Sequence, residues 1–190
     1  METYNLILND ETEGVFAISL VDAPAVEYNF LFFSKDELNF SIFNNDKREV
    51  FGVIMLADTP IPRKSNVNLG IGNHNVIFNK ETIKNIVLKY SKNKYSDQVT
   101  LGHKEKAEGI YLFESYIIDR DNGINPPIPF SNIPDGSWIG KFKVDNEDIW
   151  TEIKNGTFKG FSIEGEFKYD IKNEELEFFK DVHKILSKIK

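Results

Sequence analysis

Thr157-Phe158-Lys159-Gly160-Phe161-Ser162-Ile163-Glu164-Gly165-Glu166-Phe167-Lys168-Tyr169 alternates between large apolar and small or charged side chains. Successive side chains of a strand point to opposite faces. The stretch therefore reads as one long strand with Phe161, Ile163 and Phe167 on one face. Phe158, Gly160, Ser162 and Glu164 share the other. Glycines at 160 and 165 remove side chains next to Ser162, which lets another backbone approach closely. A serine on such a strand can simply face solvent, and its neighbourhood has to decide otherwise.

Working outward, most of the chain reads as further short strands. Trp138–Val144 is one, followed by a short helix with Asp145 as its cap and Gly156 as its left-handed stop. Gly109–Ile118 is heavily apolar, and Val99–His103 alternates so as to place His103 beside Val99 and Leu101. Asn79 can cap a helix carrying Ile83, Ile86, Val87 and Tyr90 on one face. Glu49–Ala57 is a nearly continuous apolar run, as in a strand covered on both faces. Tyr4–Leu8 and Val15–Val21 flank an acidic turn and suggest a hairpin. The prolines and glycines of Thr59–Asn75 mark a loop, and four prolines mark Asp119–Gly136 as a turn-rich connection. The expected fold is mainly β (α+β), a barrel-like domain over residues 1–170 with about three peripheral helices. Residues 27–48 form an irregular arm, and 171–190 hold a last amphipathic helix.

Composition narrows the chemistry. Across 190 residues the formal charge is −7, with 23 Lys and Arg against 30 Asp and Glu, and no basic block. Affinity for nucleic acid comes largely from neutralising phosphates, so nucleic acid is disfavoured as a partner. The chain has no cysteine, which excludes disulfides, thiolate nucleophiles and Cys-based metal sites. Three scattered histidines do not make an all-His metal site, and no phosphate loop, His-Glu-x-x-His helix or calcium loop is present. No cofactor and no metal is expected. No apolar run reaches the roughly 20 residues of a membrane span, and the first residues lack a signal-peptide pattern, so no membrane is expected.

Three side chains stand out. Ser162 is a candidate nucleophile, and His103, after Gly102, a candidate base that could take its proton. Glu114 lies in a strand with apolar residues on both faces, where a carboxylate needs a partner. It could orient an imidazole or hold a purely structural bond; Asp22, after Val15–Val21, is the alternative acid or a turn former. His74 and His183 read as incidental.

The segments Gly136-Ser137-Trp138-Ile139-Gly140-Lys141-Phe142-Lys143-Val144-Asp145, Ile149-Trp150, Ile153-Lys154-Asn155-Gly156 and Lys159-Gly160-Phe161-Ser162-Ile163-Glu164-Gly165 resemble the prohead serine proteases of tailed bacteriophages. The branch also encoded by defective-prophage elements is the most similar, and Ala17-Ile18-Ser19-Leu20-Val21-Asp22-Ala23-Pro24-Ala25 shares its pattern. The resemblance covers roughly residues 4–169. It implies an assemblin-like β-barrel, closed or partly open, that cleaves scaffold and capsid-protein segments during prohead maturation. The setting it implies is the host cytoplasm, inside the immature capsid, with a homodimer by analogy. By motif match Ser162 is the nucleophile and His103 the base. In the commoner members the acid stands in a strand reading Glu-x-Ser-Leu-Val; here that position is Ala17, so the barrel is expected to be circularly permuted and Glu114 or Asp22 to supply the carboxylate. The rival reading is a catalytically inactive capsid-assembly or scaffold-associated protein that keeps the fold.

Overall fold

The computed structural model describes residues 1–9, 12–23, 31–32, 47–66 and 69–170, with 31 and 32 as backbone only. The strands are β1 (Thr3–Ile7), β2 (Gly14–Val21), β3 (Leu31–Phe32), β4 (Glu49–Met55), β5 (Ile61–Arg63) and β6 (His74–Ile77). Helix α1 (Lys80–Lys92) follows, then β7 (Val99–Leu101), β8 (Glu105–Lys106), β9 (Ile110–Ile117) and β10 (Trp138–Val144). Helix α2 (Glu147–Lys154), β11 (Gly160–Glu166) and β12 (Lys168–Tyr169) complete the described residues. The protein is mainly β with helices added, as the patterning predicts.

The ladders run as three four-stranded sheets, β12-β1-β6-β5, β3-β4-β10-β9 and β11-β2-β7-β8, with no closed cylinder among the described strands. One core joins them. Trp138, Phe142, Trp150 and Phe161 are almost wholly buried in it, and the Phe142 and Phe161 rings pack 4.4 Å apart. Burial of that size on the inner face of β11 fixes which side of the strand looks outward: a slip of one residue would drive Ser162 into the core and Phe161 out.

Local signals explain the helices. Asn79 Oδ1 accepts the Thr82 N–H at 2.8 Å and starts α1, whose Ile83, Ile86 and Tyr90 are buried. At α2 the cap is Asn146, not Asp145; its Oδ1 accepts the N–H groups of Asp148 and Ile149. Either side chain could serve, and Asn146 is the one that reaches. Gly156 takes the expected left-handed conformation just past the helix (φ 76°).

Several expectations need correction. The first two strands form no hairpin: β1 pairs with β6 and β12, and β2 with β7 and β11. The acidic connection instead turns inward at Glu13, a buried carboxylate that accepts the Asn9 N–H at 2.6 Å and lies 2.7 Å from Lys168 Nζ. The 59–75 loop contains β5 and the start of β6. The 157–169 strand is shorter, beginning at Gly160 and breaking at Phe167. Gly165 is needed within the fold itself: a Cβ there would lie 2.4 Å from the Gly14 carbonyl oxygen, at the irregular step where β11 shifts register on β2. Of the 27–48 arm only 31–32 and 47–48 are described, and the 171–190 helix lies outside the described residues.

Candidate active site

The sheet β11-β2-β7-β8 assembles the site. In its register Ser162 stands opposite Ser19, and Ser19 opposite Thr100. Residues opposite one another share a face, and neighbouring strands lie about 4.8 Å apart. The three hydroxyl side chains therefore form one row across three strands. Glu164, two residues along β11 from Ser162, is on that face as well, opposite Ala17. Ala17 ends at Cβ, so nothing on β2 blocks the glutamate from leaning across to β7. It does so: Thr100 Oγ1 donates to Glu164 Oε1.

His103 joins the same group from a turn. The alternation expected through His103 stops at Leu101, where β7 ends; Gly102 and His103 both take left-handed conformations (φ 57° and 60°) and lead back into β8. Glycine accepts that geometry freely and histidine more readily than most residues. The turn is held by two bonds to β2: Gly102 N–H donates to the Leu20 carbonyl at 2.9 Å, and His103 N–H to Ser19 Oγ at 2.9 Å. With its backbone fixed, His103 places Nδ1 3.2 Å from Glu164 Oε1. The imidazole is about two-fifths exposed and the glutamate about one-fifth.

A carboxylate beside Nδ1 favours the tautomer with the proton on that nitrogen. Nε2 is then the lone-pair side, free to accept a proton, and the imidazolium that results is stabilised by Glu164. Among the described residues the Ser162 hydroxyl makes no hydrogen bond to His103 or to any other side chain. Resting enzymes often hold such pairs apart until substrate closes them.

The other sequence-predicted acids lie elsewhere. Glu114 is not shielded: β9 is the outer strand of its sheet, Phe113 and Glu114 are about half exposed, and Lys141 Nζ donates to Glu114 Oε2 at 2.7 Å. Asp22 follows β2 as an exposed bend residue with no partner among the described residues. His74 is a satisfied core histidine, with Nδ1 2.8 Å from the Gly72 carbonyl oxygen and Nε2 3.0 Å from the Tyr169 hydroxyl. His183 lies outside the described residues. No group of three metal-ligating side chains occurs among the described residues.

Two residues of the group escape sequence reasoning as role-bearers. Glu164 reads there as a neighbour of Ser162 on an open face, and as an acid only within a fallback region, 164–181, behind Glu114 and Asp22. Ser19 is fully buried between Ile18 and Leu20; a lone hydroxyl in an otherwise apolar run was the available signal. Ser19→Ala removes the acceptor of the His103 N–H and frees the turn that aims the imidazole. Misplacement of a reacting group by about 1 Å can cost on the order of 100-fold. The variant is expected to lose about that much kcat with KM near wild type, read by steady-state peptide hydrolysis on folded protein.

The family model described as "Putative phage serine protease XkdF" matches residues 40–170, more than half of the chain. The matched region contains His103, Ser162 and Glu164; Ser19 precedes it. No curated protein and no solved structure matches the chain.

Proposed function

We propose, since this chain belongs to the phage serine protease family, that it is a serine endopeptidase with Ser162 as nucleophile, His103 as general base and Glu164 as the orienting acid. The observation that carries the reading is the Glu164 carboxylate 3.2 Å from His103 Nδ1, on the strand face that Ser162 shares. In the reaction His103 Nε2 takes the hydroxyl proton as Ser162 Oγ bonds to the carbonyl carbon of the scissile peptide. The proton then passes from Nε2 to the leaving amine as the C–N bond breaks, leaving an ester on Oγ. Water, deprotonated by the same nitrogen, attacks that ester; the proton returns to Oγ and the carboxylic acid product departs. Glu164 stays ionised throughout and steadies the imidazolium. Thr100, donating to the same carboxylate oxygen, limits where Glu164 can swing.

The physiological substrates in this reading are scaffold and major capsid proteins, cut inside the immature phage head in the host cytoplasm, by a chain that acts as a homodimer. In this reading the three sheets derive from an assemblin-like barrel; what supports it is that β4 packs against β11 while no ladder bonds join the two among the described residues. The test is incubation with the scaffold and major capsid proteins encoded beside it, with product masses measured. Defined fragments absent from the Ser162→Ala reaction support the reading. Intact substrates after prolonged incubation favour the alternative, a non-catalytic assembly protein.

A further inference from the structure

Glu164 and Thr100 stand on strands separated by β2, two strand spacings or about 10 Å apart between their backbones. The glutamate must therefore use nearly its full length, past Ala17, to meet the threonine hydroxyl. There its Oε1 has two partners, Thr100 Oγ1 and His103 Nδ1. Among the described residues no other group bonds to or pairs with this carboxylate. A side chain with several rotatable bonds has other places to go. Ser162 is two residues back on the same face of β11, about 7 Å away, and its hydroxyl has no hydrogen-bond partner among the described residues. A carboxylate folded back onto that hydroxyl would accept its proton in a hydrogen bond and leave the imidazole. The two arrangements compete for one side chain.

We infer that Thr100 is a positioning residue for the reaction: its hydroxyl holds Glu164 extended over β2, so that the carboxylate meets His103 and stays off the Ser162 hydroxyl. A hydroxyl donating to an ionised carboxylate makes one of the stronger hydrogen bonds. The donor is also fixed in place. Threonine is stiff at its first side-chain torsion, and β7 is laddered to β2 on one side and to β8 on the other. The same geometry accounts for the length of the acid. Aspartate is one bond shorter, about 1.5 Å, and from β11 it would fall short of both partners. Thr100 acts through Glu164 alone, so its loss should matter only while the carboxylate is present. This inference rests on the peptidase reading above, with Glu164 as its acid.

The experiment measures the rate at which diisopropyl fluorophosphate labels Ser162, followed by mass spectrometry at equal folded concentration. The proteins are wild type, Thr100→Val, Thr100→Ala, Thr100→Ser, Glu164→Gln and the double variant Thr100→Val with Glu164→Gln. Valine keeps the branched shape at a half-buried strand position and suits a strand, and alanine is a second variant without the hydroxyl. Both are expected to label about tenfold more slowly than wild type or worse, the loss of one hydrogen bond to a charged group. Thr100→Ser keeps the hydroxyl and should stay within about threefold of wild type. The double variant should match Glu164→Gln within about twofold, because groups that act as a unit are not additive. Labelling of Thr100→Val and Thr100→Ala at the wild-type rate, or of Thr100→Ser as slowly as Thr100→Val, overturns the inference and leaves the peptidase reading standing. So does a double variant slower than Glu164→Gln by the whole factor seen in Thr100→Val alone. Glu164→Gln labelled at the wild-type rate removes the acid and the inference together. A wild type that is not labelled on Ser162 overturns the peptidase reading and this inference with it.

Discussion

Ser162→Ala is expected to reduce peptide hydrolysis to background while the protein stays folded. Removal of the nucleophile of a serine triad costs about 10⁶-fold in kcat, because the remaining members act only through it. In the assay this means no product above the level without enzyme. The fold should hardly notice: Ser162 is only partly buried and its hydroxyl makes no hydrogen bond among the described residues, so no partner is left unsatisfied. A stability change within about 1 kcal/mol is expected, which for a chain of this size is a shift in Tm of about 4 °C or less. Thermal unfolding by circular dichroism alongside the hydrolysis assay separates the two effects. A variant that unfolds early would show the serine to be structural, and one that still cleaves would place the nucleophile elsewhere.

The second large effect distinguishes the carboxylates. Glu164→Gln keeps the shape of the side chain but removes the charge next to His103 Nδ1. The amide can also present its NH2 to the imidazole and stabilise the wrong tautomer. The corresponding change in a serine triad lowers kcat by about 10⁴-fold. Glu114→Gln affects an exposed pair with Lys141 on an outer strand. Exposed ion pairs contribute about 0–1 kcal/mol to stability, and nothing connects this one to the imidazole. Its activity is expected to stay within about twofold of wild type. The comparison is made as kcat/KM against pH at equal folded concentration. The opposite ranking, with Glu114→Gln crippled and Glu164→Gln active, would return the acid to β9.

The placement of Ser162 on a strand and of His103 at a strand end was legible because each is a local signal. Alternation around Ser162 sets its face, and the glycine before His103 marks a strand end. Which carboxylate stands beside His103 is a non-local fact. It depends on β2 lying between β11 and β7, and on a small residue, Ala17, standing opposite Glu164. Neither is visible from the spacing of two residues on one strand. Glu114 misled for the complementary reason: apolar residues on both faces suggest burial, yet β9 is an outer strand and one side of it meets solvent. A strand's position within its sheet is set by partners far away in sequence. The same holds for β1 and β2, whose turn-like connection invites a hairpin while both strands find partners more than fifty residues away. The position that carries the acid in the resembled pattern is Ala17, and the carboxylate directly across the ladder from it is Glu164.

Activation of Ser162 by His103 can be measured by reaction of the protein with diisopropyl fluorophosphate, followed by peptide mapping. A single phosphoryl adduct is expected, on Ser162, forming in wild type and lost in His103→Ala. An adduct on another serine, or labelling of Ser162 that is equally fast without the imidazole, would contradict it.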